Sequence, residues 1–504
     1  MKRWATGVLL SILGTGVGRD GQAEEFYLIG PRAMGMGGAG VATTRGALST
    51  YWNPAALAPP RTPRVDTFFD LGIGASAGGT ATNDVVAQID ALIDLADGID
   101  FNDLENSLDS GNELSDADLR NVLALINSIE NLDAAGTGLV ANVEAGLNLR
   151  FGRLGISGLG IFNAGGLTNV DTTLLTLGNN GIDGIVGSGS NVPATPEGQA
   201  LANSIASDLA SQGVADSQRI ANELVFQAEA SGADVADPGF QGLLDDVIQA
   251  TNDAQGNPVG TDEFFSGNQS GLDLRGIMLQ EYAVGYAHPF FDLVSVGAAA
   301  KFLYATTYFN PFTLGNLNDF GDVLNEIKND SLKEEDINFG LDVGALVTPT
   351  DWIAVGIVGK YLNRPEFDLE GPGDYTIDPQ ARAGVALGPF AGLTLAADVD
   401  LTSNETDAFP GYQSQLVGGG VEYNLNEWDI LFLRGGVSKN VGEADESVVI
   451  HAGLGARVFG VALDLAGMLA PEFTDINTSA DGSSDEIPER VGLAVMLSFN
   501  VPLD

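Results

Sequence analysis

Gly35, Gly37, Gly38 and Gly40, within AMGMGGAGVATTRG, have the G-x-G-G-x-G spacing of a turn that cradles pyrophosphate. That chemistry needs a strand before the glycines, a helix after them, and an acid about 20 residues on to hold a ribose hydroxyl. Phe26 to Ile29 could supply the strand, but Val41, Thr43, Thr44 and Gly46 make a poor helix start, and Pro59 and Pro60 stand near the place of the acid. The other candidates for chemistry are equally incomplete. His288 and His451 are the two histidines, and neither lies in H-E-x-x-H or beside a G-x-S-x-G nucleophile turn. Asp398 and Asp400 share a strand face about 7 Å apart by strand rise, with no substrate groove legible around them. Asp253 to Glu263 is rich in oxygen side chains but lacks the order of a calcium loop. The chain has no cysteine, so the usual zinc clusters are absent. The expectation is a protein that is not an enzyme, with no metal and no cofactor.

The elements that must carry these residues begin with a leader. Met1, Lys2 and Arg3 are a basic start, Trp4 to Val17 an apolar run diluted by glycine, and Gly21-Gln22-Ala23 offers small residues for cleavage. This predicts a signal peptide over residues 1–23 and export. Acids outnumber bases 68 to 22, a net charge of −46, which excludes nucleic acid as a partner because its phosphates would be repelled.

Beyond the leader the dominant signal is a period of two. Ile337, Phe339, Leu341, Val343, Ala345 and Val347 fall on one face of INFGLDVGALV; Asn338, Gly340, Asp342 and Gly344 oppose them. The same alternation marks fourteen segments, near 65–77, 140–151, 153–162, 275–287, 293–305, 336–347, 351–362, 376–387, 391–402, 414–424, 428–438, 447–457, 458–468 and 488–500. Most run 10 to 13 residues, which suits tilted strands crossing a bilayer better than the strands of globular sheets. The joins alternate between short (152, 288–292, 348–350, 388–390, 425–427 and 457/458) and long, the arrangement of short periplasmic turns and long external loops. A soluble sandwich also alternates, but its polar face meets water; here that face is small and glycine-rich with sparse charge, as a confined lumen requires. An open sheet edge in lipid would leave backbone groups unpaired, so the sheet must close. Lys301, Arg382, Asp398, Arg434, His451 and Arg457 are the expected lumenal polar groups.

Residues 78–139 and 163–274 carry a helical period instead. Val85, Ile89, Leu92, Ile93 and Ala96 form one apolar face, and Leu119, Val122, Leu123, Ile126 and Ile129 another behind Ser115 as N-cap. The two inserts hold 28 acids against two bases, Arg120 and Arg219. Their apolar faces must be covered, by each other, by a partner or by an apolar ligand.

GPRAMGMGGAGVATTRGALSTYWNPAALA, a glycine-rich turn followed by Asn53-Pro54-Ala55, resembles the N-terminal region of the FadL family of outer-membrane transport proteins, and still more its TraF-like and PorV-like branches. The resemblance implies a fourteen-stranded antiparallel transmembrane β-barrel, an all-β membrane protein in the outer membrane of a Gram-negative-type bacterium; the helical extracellular inserts depart from the transport archetype. It makes residues 24–64 a lumenal plug, with Gly35, Gly37, Gly38, Gly40, Asn53 and Pro54 as plug elements, and residues 65–504 the barrel. The function it implies is a passive channel for small hydrophobic molecules controlled by the plug. The alternative is a non-transporting platform whose acidic inserts bind an envelope or secretion protein. Outer-membrane lipid is the common partner of both.

Overall fold

The structure is a computed structural model. It describes residues 25–60, 68–82, 95, 113–133, 138–169, 181–186, 188–253, 271–313, 333–368, 374–405, 411–425, 430–443, 446–477 and 484–502. The expected signal peptide, the Val85–Ala96 helical face apart from Leu95, and all but the first residue of Asp253–Glu263 lie outside them.

Eighteen strands are described: β1 Phe68–Thr82, β2 Gly138–Phe151, β3 Leu154–Asn169, β4 Gly271–Phe290, β5 Val294–Thr313, β6 Lys333–Thr350, β7 Ile353–Lys360, β8 Glu366–Phe367, β9 Tyr375–Thr376, β10 Gln380–Phe390, β11 Leu393–Asp400, β12 Leu416–Asn424, β13 Leu431–Asn440, β14 Val449–Val458, β15 Val461–Leu469, β16 Phe473–Asn477, β17 Ser484–Pro488 and β18 Arg490–Pro502. Fourteen form one closed antiparallel barrel; β8–β9 and β16–β17 are small separate hairpins on the long-connection side. Closure is made by β1 and β18, in register from Phe68↔Pro502 to Thr80↔Arg490, so the barrel has no free edge to expose unpaired backbone. All fourteen alternating segments are barrel strands.

Alternation explains which face turns outward. On β6, Ile337 is 58% and Phe339 63% exposed while Asp342 and Leu346 are buried, and Ile450, Leu454, Val491 and Leu493 repeat the outward apolar pattern elsewhere. No helix among the described residues is long and apolar enough to cross a membrane. The outward face of the strands is apolar, the face a transmembrane barrel turns to lipid. The wall's height is uneven: β4 and β5 run 20 residues each and β7 and β11 only 8. At about 3.3 Å per residue the tall strands are roughly 40 Å longer than the short ones. β3 and β5 also continue past the joins expected at 163 and 306, because backbone pairing persists beyond the apolar stretch that marks a strand in sequence.

Residues 25–60 form α1 Pro31–Gly35, α2 Ser49–Trp52 and a 3₁₀ turn at Pro54–Leu57. They touch β3 to β6 on one side and β13, β14, β15 and β18 on the other, which puts them inside the barrel. The inserts contribute α3 Asp116–Asp133, α4 Ile182–Ile185, α5 Pro196–Ser211, α6 Ser217–Ser231 and α7 Pro238–Asp253. Ser115 caps α3, its Oγ accepting from the Asp118 amide at 3.2 Å. The apolar faces of both inserts share one core containing Leu123, Ile182, Leu224, Val225, Phe240 and Leu244, so among the described helices the two inserts cover each other.

Candidate functional site

The lumen and the segment that fills it are built by backbone contact first. Gly37 has φ +67°, and a Cβ there would stand 2.5 Å from the Val437 carbonyl oxygen and 2.6 Å from that of Gly419. The wall answers with glycines: a Cβ on Gly436 would reach 2.4 Å from the Gly37 nitrogen, and one on Gly420 2.7 Å from Met36 Cα. Gly35 lies against Gly453, whose Cα would be 3.1 Å from an added Cβ. Gly38 turns the chain, and Gly40 makes room for the Trp52 ring, 2.2 Å from its missing Cβ. The spacing that imitates a phosphate turn thus serves close approach of two backbones.

Asn53 fastens the other side. Its Oδ1 accepts from the Ala55 amide at 3.0 Å, closing the 3₁₀ turn, and its Nδ2 donates to the carbonyls of Val41 and, on the wall, Ala345, each at 3.2 Å. Pro54 follows at the start of that turn and packs on the wall at Gly297.

Charged side chains then clasp the segment. Asp398 accepts from the amides of Gly40 and Val41, both at 2.8 Å. Arg32 forks onto Glu422 at 2.7 and 2.9 Å, and Arg434 joins Glu422 at 2.8 Å and Asp464 at 2.6 Å. Arg382 pairs with Asp400 and lays its guanidinium 4.2 Å from the Phe26 ring centroid. Lys301 bridges Glu281 at 2.9 Å and Asp342 at 2.8 Å, and Tyr361 donates to Glu281. At the long-connection end Arg490 pairs with Glu25. His451 Nε2 lies 2.8 Å from Ser438 Oγ, a nucleophile–base distance. Both are buried on adjacent wall strands, and no carboxylate among the described residues hydrogen-bonds the imidazole, so the orienting acid of a triad is missing among them. Arg457 shares the inward parity of His451 and Gly455 but lies at the end of its strand. β14 ends one residue later, so its guanidinium stands exposed at the rim, 5.3 Å from the Phe432 ring. His288 is on β4 rather than in a turn, facing outward with its ring 5.0 Å from that of Phe290.

Sequence reasoning missed Lys360, whose Nζ sits 3.4 Å from the Tyr51 ring centroid and 4.5 Å from that of Phe26. Its signal was parity, since it shares the inward face of β7 with Val358. Arg32 and Glu422 carry no such signal, being 390 positions apart.

Space is small beside β1 to β3, where a cavity of about 10 Å³ remains between the segment and the wall. A larger one, about 340 Å³, opens at the short-turn end below α1, lined by Arg32, Arg45, Pro59, Trp352 and Pro389 among others. Among the described residues no group of three side chains could hold a metal ion.

The model of the family described as F plasmid transfer operon, TraF, protein matches residues 50–400. No curated protein matches the sequence. Similar solved structures include the Ralstonia pickettii toluene transporter TbuX (12% identity, 94% of this chain and 98% of that one, TM-score 0.40). The Pseudomonas putida toluene transporter TodX is another (10%, 96% and 99%, TM-score 0.40), and a Pseudomonas aeruginosa FadL homologue a third (10%, 94% and 98%, TM-score 0.41).

Proposed function

The chain belongs to the family described as F plasmid transfer operon, TraF, protein, and on that premise we propose that it is a plugged outer-membrane channel for small apolar molecules. One observation carries the reading. The inward face of β3 to β5 is apolar at Leu159, Ile161, Ile277, Leu279 and Leu303, in one buried cluster with Phe26, Leu28 and Ile29 of the inner segment. Away from its polar points at Glu281 and Lys301, that surface favours an apolar solute over a polar one. An apolar one could replace the segment's side chains at about 25 cal/mol per Å² of surface withdrawn from water. The segment itself is fixed largely by hydrogen bonds and ion pairs at its polar points, which lets an exchange of apolar contacts proceed without dismantling the barrel. Diffusion down a gradient needs no energy-coupling element.

Purified protein in liposomes tests this. Uptake of a neutral apolar compound should exceed that of empty liposomes several-fold, with an anionic analogue of the same skeleton entering more slowly past the acidic inserts. Equal leakage with and without the protein would refute it. A second reading, a platform for an envelope partner, draws on the shared helical core of the inserts, which forms a body of its own. Removing residues 170–270, which spares β3 and β4, would abolish partner capture on that reading and alter uptake only modestly on the first.

A further inference from the structure

The connection from β7 to β10 turns inward instead of standing clear of the barrel. β7 stops at Lys360, just past the Val343↔Gly359 pair, whereas its neighbour β6 begins at Lys333, so the wall is low here at the long-connection end. Residues 361–368 and 374–379, which include the hairpin β8–β9, have two unlike sides. Leu362, Arg364, Glu366, Asp368 and Asp374 are exposed. Tyr361, Phe367, Tyr375 and Ile377 are buried in one cluster with Leu279 and Leu303 of the wall and Phe26 of the inner segment.

Three buried charges from adjacent strands hold the first residue of this stretch. Lys301 Nζ lies between Glu281 at 2.9 Å and Asp342 at 2.8 Å, and 3.9 Å from the centroid of the Tyr361 ring. The Tyr361 amide donates to Asp342 at 3.0 Å and its hydroxyl to Glu281 at 2.8 Å. Tyr361 thus meets all three charged groups, each of them 3% exposed or less.

Beyond Tyr361 the attachment is thin. The Leu362 amide donates to the Leu341 carbonyl at 2.9 Å, Asn363 to that of Phe339 at 2.7 Å, Asn338 to that of Glu366 at 2.8 Å, and Thr307 to that of Asp368 at 2.8 Å. β8 and β9 are two residues long each. These are single bonds, mostly from side chains, where the barrel strands share continuous ladders. A segment held in this way opens locally at far less cost than global unfolding. Tyr361 and Arg364 also sit at φ +50° and +52°, a conformation that residues with side chains keep only where surrounding contacts impose it. Loss of those contacts favours another path for the chain.

We propose that the β7–β10 connection is a lid over the β4–β6 side of the lumen mouth, latched by Tyr361 on Glu281, Lys301 and Asp342, which lifts to admit an apolar solute to the face beneath. It is a closure additional to the inner segment. As a gate it rests on the channel reading; as a moving part it does not, because its movement is read without any solute.

The chain has no cysteine, so a single introduced thiol reports one position. Thr376→Cys places it on the buried side of the lid, and Ser157→Cys on the inner face of β3. The readout is the rate of labelling by a charged maleimide on full-length protein in detergent. Tyr361→Phe keeps the ring on Lys301 and loses the hydroxyl bond to a carboxylate, so it should label position 376 about tenfold faster and position 157 at the wild-type rate. Thr307→Val, which loses the bond from β5 to Asp368, should act in the same direction more weakly. An unchanged rate at 376 in both variants would overturn the proposal. So would equal acceleration at 376 and 157, which would mean that the inner face opens as one body. In liposomes Tyr361→Phe should also raise uptake of the neutral apolar compound severalfold. Where the wild type takes up the compound, unchanged uptake in Tyr361→Phe despite faster labelling would overturn the lid as a gate. Where neither protein takes it up, the channel reading fails, and labelling alone decides whether the lid moves.

Discussion

A single added methyl group is the sharpest probe of how the inner segment meets the wall. Gly37→Ala places a Cβ within 2.6 Å of two wall carbonyls and asks an alanine to hold φ +67°, so the two costs add. Each is about 1–3 kcal/mol. Gly435, on β13, has open space around its missing Cβ and provides the control within the same protein. Hydrogen exchange over residues 25–60 should quicken at least tenfold in Gly37→Ala and remain unchanged in Gly435→Ala. Asp398→Ala makes the complementary argument from hydrogen bonding. It removes the acceptor of two backbone amides, and bonds to a charged group are worth about 1.5–3 kcal/mol each. Limited proteolysis should cut the segment in that variant under conditions that leave the wild-type chain whole, whereas Asp398→Asn, whose amide oxygen can still accept both bonds but without the charge, should fall between. At this scale the sequence was only half legible. The glycines were visible as backbone-contact residues, and Asn53 as a turn former. Their partners Gly419, Gly436 and Ala345 were not, because closeness in a barrel is set by strand register, which alternation alone does not state.

Elements were far more legible than contacts, and the reason is physical. A strand in a bilayer must show lipid one face and the lumen the other, so its period survives in the sequence wherever it crosses the membrane. Where β3, β4 and β5 rise further, that constraint lapses and the reading stopped short of their ends. The insert helices follow the same logic through a different period, and what α3 packs against was left open until its core was seen to be shared with α5, α6 and α7. Those helices should respond to acid before the barrel does. Burial alone would raise the Glu223 carboxyl, but hydrogen bonds from Asn191 and Gln227 and the charge of Arg219 hold it below its ordinary value. Glu229 is lowered too, its burial outweighed by bonds from Thr195 and Ala194. A carboxyl with a folded pKa below its unfolded one stabilises above the unfolded pKa and loses that contribution as pH falls through the folded value. Asp245 has the opposite sign, raised by burial and by Asp208 and Asp246, so its protonation relieves repulsion. Helical circular dichroism should therefore weaken below about pH 4, while the sheet signal of the barrel persists. Glu223→Gln should remove part of that pH dependence, and Asp245→Asn should raise the helical melting temperature at pH 7. A helical signal indifferent to pH in Glu223→Gln and wild type alike would show that these bonds do not hold the bundle.

For the molecule as a whole, the decisive fact is that fourteen strands enclose more room than side chains can fill. Eight strands give an interior just filled by side chains, and sixteen to eighteen leave an aqueous channel. A barrel of fourteen lies close to the latter, so on the function proposed above its permeability turns on residues 25–60. Their grip is spread over both ends and the middle: Glu25 on Arg490, Arg32 on Glu422, and Asp398 on the Gly40 and Val41 amides. Releasing one point leaves the other two, so single substitutions should change local exchange more than conductance. In planar bilayers the wild-type protein should show little ion current, whereas Arg32→Ala combined with Asp398→Ala should give stepwise conductance of porin magnitude. Asp398 and Arg490 are buried and Arg32 is only partly exposed, so raising salt from 0.1 to 1 M, which shortens the screening length from about 10 to 3 Å, should not open the wild-type barrel. Porin-like current from the wild type would mean that the segment does not seal the lumen. Silence from the double variant, with the segment still protected from exchange, would mean that backbone contact at the glycines holds it without the charges.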